Sequence, residues 1–293
     1  MKVENVLIVG GSGFLGRHLA AELARRALRV TIPTRRRERA KHLIVLPTVD
    51  VVEADVNAPG VLERLAKGRD AVINLVGILH GNFERAHVEL PRAIVAACRA
   101  GGVARLLHVS ALGAAPDAPS EYLRSKARGE EVVLGAAGLE ATVFRPSVVF
   151  GPEDRFLNTF ASLARYLPVL ALACPHARFQ PVYVGDVARA MAEALEKPEA
   201  RGKRYELCGP REYTLKALVE YACAATGRHR LVLGLSPSLS YLQARLLEWS
   251  PGPLMTRDNY YSMQVPNVCA QDCALPFGLA PTALEAVAPA YLQ

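Results

Sequence analysis

Residues 5–16, NVLIVGGSGFLG, constrain the chain more than any other stretch. Val6, Leu7, Ile8 and Val9 form an apolar, mostly β-branched run, as in a strand covered on both faces. Glycines follow at Gly10, Gly13 and Gly16, and residues 14–27 carry an alanine-rich apolar pattern of helical period. A strand that feeds a helix through a glycine turn is the context in which this spacing binds a dinucleotide. One glycine allows the tight turn, one lets the backbone approach a pyrophosphate, and one lets helix and strand pack closely. The free amides and positive end of the helix, around Ser12, Gly13, Phe14 and Leu15, then face the phosphates. Gly11-x-Gly13-x-x-Gly16 fits the other common dinucleotide spacing equally well, so spacing alone leaves the subfamily open.

The first half alternates. Strand-like apolar runs at 6–9, 28–32, 49–53, 71–75, 105–109 and 140–145 are separated by helical patterns near 14–27, 58–67, 83–100 and 120–137. That βαβα order predicts an α/β fold, a Rossmann-like doubly wound parallel sheet with helices on both faces. Ligands then sit at the carboxyl ends of the strands. After Phe150 prolines and short elements become frequent, but residues 185–197 again read as a helix of the main body. The expected organisation is a dinucleotide-binding domain over 1–150, completed by the helix near 185–197, with a smaller, interleaved C-terminal substrate or partner region over 151–293.

Charged residues make up 22% and hydrophobic residues 51%, as in an ordinary globular protein, and no segment approaches the roughly 20 apolar residues that span a bilayer. The first strand begins almost at once, which leaves no room for a cleavable signal. The six cysteines are scattered, only Cys269 and Cys273 being close, so reduced thiols in a cytoplasmic compartment are expected. The seven histidines are isolated, and no metal site is expected. A net charge of +7 favours anionic partners: a phosphorylated cofactor, an acidic protein face or anionic lipid. With aromatic residues at 6% and no recognised nucleic-acid motif, nucleic acid is not expected.

The second strand runs into Pro33-Thr34-Arg35-Arg36-Arg37, where an NAD-specific site usually places an acid for the ribose 2′-hydroxyl. Guanidinium forks match a 2′-phosphate in charge and geometry, so NADP(H) is favoured over NAD(H), with Arg35 and then Arg36 as the contact. Arg37, Arg39 and Lys41 read as a solvated helix face. Asp55 can accept from the adenine amino group while Val56 packs on the ring; a helix N-cap is the other reading of Asp55. Val76 and Gly77, after Asn74, let the chain pass close to the adenosine-side ribose and the pyrophosphate.

Ser110 ends the fifth strand, and the helix that follows carries Tyr122 and Lys126, four residues apart on one face. An ammonium beside a phenol lowers the phenol's pKa, which suits Tyr122 to acid–base work, and Lys126 can also hold the nicotinamide ribose. With Gly10-x-x-Gly13-x-x-Gly16, Asp55-Val56, the RPSVVFGP run at 145–152 and PVYVGDVA at 181–188, the chain resembles the extended and atypical branches of the short-chain dehydrogenase/reductase superfamily. HVSALG at 108–113 and GPEDRFLN at 151–158 look closest to the subgroup that includes the nucleotide-binding accessory subunit of respiratory complex I and its bacterial relatives. The resemblance implies cofactor contacts for Pro146 and Val148. It also marks a departure: Ala111 and Leu112 stand where typical members place a catalytic Ser or Thr, and Ser110 either substitutes for that hydroxyl or caps the strand end.

Two functions follow. One is an NAD(P)-dependent oxidoreductase or epimerase-like enzyme using Tyr122 and Lys126, on a quinone or another apolar carbonyl compound. The other is a non-catalytic NADPH-binding accessory or assembly protein of respiratory complex I or of quinone (ubiquinone) synthesis, peripheral to the inner membrane. Residues 159–172 and the amphipathic 239–247 are the segments expected to line an apolar pocket, present a face to a membrane protein or pack as core helices, and His80, His87 and His176 are candidate proton donors.

Overall fold

The apolar run that opens the chain is β1 (Asn5–Val9), flanked by parallel neighbours on both edges. The computed structural model describes residues 2–250, 252–270 and 275–292. Five strands follow at the intervals the sequence predicts: β2 (Arg29–Thr34), β3 (Val49–Glu53), β4 (Ala71–Asn74), β5 (Arg105–Val109) and β6 (Glu140–Pro146). Between them run α1 (Phe14–Arg25), the short α2 (Lys41–Ile44), α3 (Val61–Ala66), α4 (Leu90–Gly101) and α5 (Glu121–Leu134). An excursion then adds β7 (Val149–Phe150), α6 (Phe156–Tyr166), β8 (Val169–Leu172), β9 (Arg178–Phe179) and β10 (Val182–Tyr183). The chain returns through α7 (Val184–Glu196) and β11 (Lys203–Leu207), then continues through β12 (Tyr213–Thr214), α8 (Leu215–Ala225), β13 (Leu231–Gly234), α9 (Pro237–Leu247) and α10 (Arg257–Ser262).

The main sheet has seven strands in the order β11-β6-β5-β4-β1-β2-β3. Strand order reverses between β1 and β4, which is the switch point where ligands of doubly wound sheets bind. Register aligns Val9 with Asn74 and Asn74 with His108, so the carboxyl ends of β1, β4 and β5 form one row. Leu7, Val9, Val72, Leu106 and Val143 of the sheet pack with Ile94 and Cys98 of α4 in one buried cluster.

The chain forms two compact units. The first holds residues 1–111, 125–145 and 184–205. The second holds residues 112–124, 146–183 and 206–293. Its core has two centres, one around Phe150, Leu157 and Leu218 and one around Leu170, Leu172 and Val232.

Three details depart from expectation. The helical pattern at 83–100 is not uniform: a π turn at Arg85–Glu89 precedes α4. Residues 159–172 do not form one helix, because Pro168 holds Leu167 extended (φ −106°, ψ 122°), and the chain re-enters as strand β8. The expectation of reduced cysteines also fails, since Cys208 and Cys269 form a disulfide, Cα atoms 6.2 Å apart and 61 positions apart in sequence. A pair so distant has no local spacing signature; only the tertiary fold brings it together. Cys98, Cys174 and Cys223 are free thiols, and Cys273 lies outside the described residues.

In the first unit α5 is tied to the sheet through Glu130, whose carboxylate is buried. It accepts from Arg145 Nε at 2.7 Å and Nη2 at 2.6 Å, and from Arg204 Nε at 3.0 Å. Removing one member of a buried ionic group strands the others' charge. Glu130→Gln is expected to destabilise the protein by about 3 kcal/mol, read as a shift in denaturant midpoint. A change within about 0.5 kcal/mol would mean the two guanidinium groups find water instead.

Candidate functional site

The glycine turn is built for close approach. Gly10 has φ +84°, in the left-handed region, and a Cβ there would lie 3.1 Å from the backbone of Leu75 and Val76. At Gly16 a Cβ would overlap the Gly11 carbonyl, so α1 rests directly on the loop. Gly13 is the N-cap of α1, and neither a capping side chain nor a first-turn acid serves that end. The first-turn amides have no intrahelical acceptor, which leaves an anion-binding end. Ser12, Phe14 and Leu15 are half-buried and Gly13 is exposed, so the loop is open on this side.

β2 and β3 pair in register up to Thr34 opposite Glu53, which brings the segments that follow them close together. Arg35 and Arg36 follow β2 and are exposed. Asp55 follows β3, and its Oδ1 accepts from the Asn57 backbone and side-chain amides, both at 3.0 Å. Those bonds, with a smaller pull from the Arg35 charge, hold its carboxyl below the usual carboxylate range. The N-cap reading of Asp55 does not hold. It closes a local Asx turn, and α3 starts only after Gly60. Val56 and Val76 pack on the buried cluster behind the sheet.

A row of buried polar groups closes the strand ends. Asn74 Oδ1 accepts from Val76 N–H at 3.1 Å, and Asn74 Nδ2 donates to His108 Nδ1 at 3.1 Å. His87 Nε2 accepts from Ile78 N–H at 3.1 Å, so the ring proton sits on Nδ1 and meets Ser125 Oγ at 2.8 Å. Burial, reinforced by the nearby Lys126 charge, pushes both histidines down to about 3. His87 is therefore a neutral brace for the segment after β4 and not a proton donor. His80 and His176 are exposed.

α5 carries both Tyr122 and Lys126. The Lys126 ammonium is buried, 3.1 Å from the Val109 carbonyl and 3.5 Å from that of Val76. A Cβ on Gly77 would stand 3.1 Å from Lys126 Nζ, so a glycine there leaves room for the amine. Burial lowers this ammonium to about 8, against the opposing pull of Glu130. Tyr122 contradicts the simple expectation of an acidified phenol. Burial, with the Asp258 carboxylate second, pushes it up to about 12. Asp258 accepts from the amides of Glu121 at 2.7 Å and Tyr122 at 3.1 Å and thereby caps the start of α5.

Ser110 Oγ is buried and has no hydrogen-bond partner among the described residues, so it does not cap the strand end. Ala111 and Leu112 are buried beyond it. In the second unit Pro146 is buried and Val148 half-buried, in a segment pinned by Asn267. Asn267 Oδ1 accepts from Ser147 Oγ at 2.6 Å and from Val148 N–H at 3.0 Å. Sequence reasoning missed Asp258 and Asn267. The only local trace of the first is its place inside the Thr256–Asn259 capping box, and Asn267 leaves none.

A parallel sheet with a glycine turn at its switch point and an uncapped helix above it defines a dinucleotide-type α/β protein. The model of the "NAD dependent epimerase/dehydratase family" matches residues 6–208, and the chain belongs to that family, within the extended, atypical short-chain dehydrogenase/reductases its motifs resemble. It is 35% identical over 293 residues to the Rattus norvegicus mitochondrial "NADH dehydrogenase [ubiquinone] 1 alpha subcomplex subunit 9", covering 95% of this chain and 77% of that protein. It is 34% identical to the "Ceramide reductase" of Caulobacter vibrioides, over 66% of this chain and 61% of that one. Among solved structures, a nucleoside-diphosphate-sugar epimerase from Staphylococcus aureus superposes with a TM-score of 0.75 at 18% identity, covering 96% and 98% of the two chains. The UDP-glucuronic acid 4-epimerase of Bacillus cereus, in complex with UDP-glucuronic acid and NAD, gives 0.67 at 17% identity, covering 89% and 100%. These likenesses support the fold.

The neutral histidines set a pH dependence. Each has a folded pKa near 3 against about 6.5 unfolded, so below pH 6.5 only the unfolded chain takes up the protons. Stability is full above pH 6.5 and falls as pH drops toward 3, by up to about 1.4 kcal/mol per pH unit for each histidine. Denaturant titrations between pH 7 and pH 4 should show this slope reduced by His87→Gln. An unchanged slope would mean that His87 charges in the folded state.

Proposed function

We propose that the chain binds NADP(H) and works as an oxidoreductase of the short-chain dehydrogenase/reductase type, reducing a quinone or another apolar carbonyl compound. The observation that carries this reading is the buried Lys126 ammonium, held by two backbone carbonyls beside Gly77 and one helical turn from Tyr122. The residues fit the cofactor. Gly10, Ser12, Gly13, Phe14, Leu15 and Gly16 would cradle the pyrophosphate at the uncapped end of α1. Arg35 and Arg36 would take the 2′-phosphate, Asp55 and Val56 the adenine, Val76 and Gly77 the adenosine-side ribose and pyrophosphate, and Pro146 and Val148 the nicotinamide end.

A bound nicotinamide dinucleotide supplies the hydride that goes to the carbonyl carbon. Tyr122, kept protonated by burial, is suited to donate its proton to the carbonyl oxygen as charge develops there, giving an alcohol. Lys126 would hold the ribose and stabilise the phenolate that Tyr122 leaves behind. Ser110 is the remaining hydroxyl able to orient the substrate oxygen, since Ala111 and Leu112 offer none.

A second reading rests on the same departure. With no hydroxyl at 111 or 112, and with 35% identity across 95% of the chain to a complex I subunit, the cofactor would serve as a structural element of an accessory or assembly protein. The two separate cleanly. Purified protein is denatured, its bound nucleotide identified, and the loss of reduced nicotinamide absorbance followed with quinones and carbonyl compounds. Turnover that drops at least about a hundredfold in Tyr122→Phe supports the enzyme. A nucleotide that stays reduced with every acceptor, and whose removal lowers the melting temperature, supports the accessory role.

The pH profile carries the same mechanism. Reduction should hold steady up to about pH 8 and decline above it as Lys126 loses its proton, without a step from Tyr122 until far higher pH. For cofactor choice, Arg35→Ala with Arg36→Ala should weaken NADPH about tenfold or more while leaving NADH nearly unchanged. Equal losses for both coenzymes would remove the 2′-phosphate assignment.

A further inference from the structure

In the second unit α9 is amphipathic the wrong way round for a helix of a core. Its small polar side, Ser240 and Ala244, is buried, with Ser240 Oγ accepting from Cys174 N–H at 3.1 Å. Its leucine side faces water. Leu239, Leu242 and Leu246 are exposed, Leu246 by 67%, and Trp249 continues the same face at 85% exposed. Helical spacing of three, four and three puts these four side chains on one stripe.

The neighbouring two-stranded sheet repeats the pattern. β13 pairs parallel with β8, Leu231 opposite Val169. Leu170, Leu172 and Val232 fill the core, while Val169, Leu231 and Leu233 project outward, where an alternating strand normally carries polar residues. Gln243 Nε2 of α9 donates to the Ala171 carbonyl of β8 at 2.9 Å, so helix and sheet are adjacent. The result is an apolar area of a kind that seldom lies bare on a soluble domain.

Charge identifies what covers it. Residues 156–185 and 221–249, which supply this area, contain Arg165, Arg178, Arg228, Arg230 and Arg245, no lysine or aspartate, and one glutamate, Glu248. Glu248 pairs with Arg257, and the flanking Glu212 and Glu220 pair with Arg178 and Lys216. Exposed leucines and a tryptophan, in segments whose charge is almost all arginine, fit the headgroup and acyl boundary of an anionic bilayer. No helix among the described residues is long and apolar enough to cross a membrane, so the contact is with the surface. We propose that the α9 face and the outer side of β8 and β13 form a docking site for an anionic lipid surface.

Trp249 is the sole tryptophan, so it reports on its own face. The full chain is mixed with vesicles of phosphatidylcholine alone or with added phosphatidylglycerol, and both tryptophan emission and co-sedimentation are recorded. The expected result is a blue shift and binding with the anionic vesicles, weakened by salt and by neutral lipid. Leu242→Ser with Leu246→Ser should cut vesicle affinity at least about tenfold, and Arg245→Ala roughly fivefold, each with an unchanged circular dichroism spectrum. The proposal is overturned if anionic vesicles neither bind nor shift Trp249, if neutral vesicles bind equally, or if the double variant still binds as tightly. It is likewise overturned if Trp249 shifts with protein concentration alone and sedimentation shows a dimer, which would assign the face to a second copy of the chain.

Discussion

The absence of a side chain at Gly16 lets α1 rest on the carbonyl of Gly11. That one backbone contact sets the height at which the helix begins and the direction its amides face. It also allows Gly13 to serve as N-cap without a side chain competing for the helix end. Since β1 lies at the switch point, the same contact decides where the sheet presents its positively polarised edge. Any Cβ at residue 16 would have to push the helix off the loop, and the anion-binding end would move with it.

The rest of the edge is held by neutral groups. Asn74, His108, His87 and Ser125 are buried and linked to the backbone after β4 through Val76 and Ile78. Because burial denies the histidines a charge, Lys126 is the only cation among these linked groups, and its partners are carbonyl dipoles. The hydrogen bonds that hold the amine run to the Val109 and Val76 carbonyls and not to a carboxylate.

Much of the first unit was legible because its signals are local. Periodicity, the glycine spacing and the Tyr122–Lys126 interval each sit within a dozen residues, and β1 to β6 of the main sheet fall within two residues of their expected limits, whereas β11 was not expected. What escaped is nonlocal or turns on a single residue. Pro168 breaks an apolar stretch that reads as one helix. Asp258, Asn267 and Cys269 act on partners 61 to 137 positions away, and one sequence contains no trace of such pairings. The direction of the Tyr122 shift was missed for a related reason. Burial and then Asp258 both raise the phenol, and neither can be read from the Tyr122–Lys126 spacing.

Those distant partners share a task. Asn267 pins Ser147 and Val148, Gln180 donates to the Gly209 carbonyl and accepts from Cys269 N–H, and the disulfide joins Cys269 to Cys208 directly after β11. The segment from Pro146 to Val148 therefore owes its position to residues more than a hundred places downstream. A disulfide acts in part by limiting the unfolded chain, but here it also ties together the stretches that the Asn267 and Gln180 side chains hold by hydrogen bonds. The first unit can form its glycine turn from contiguous sequence, whereas the second holds Pro146 and Val148 only once the C-terminal residues have come home. Changes at Asn267 or Cys269 should accordingly be felt in the Pro146–Val148 segment while the glycine turn stays intact.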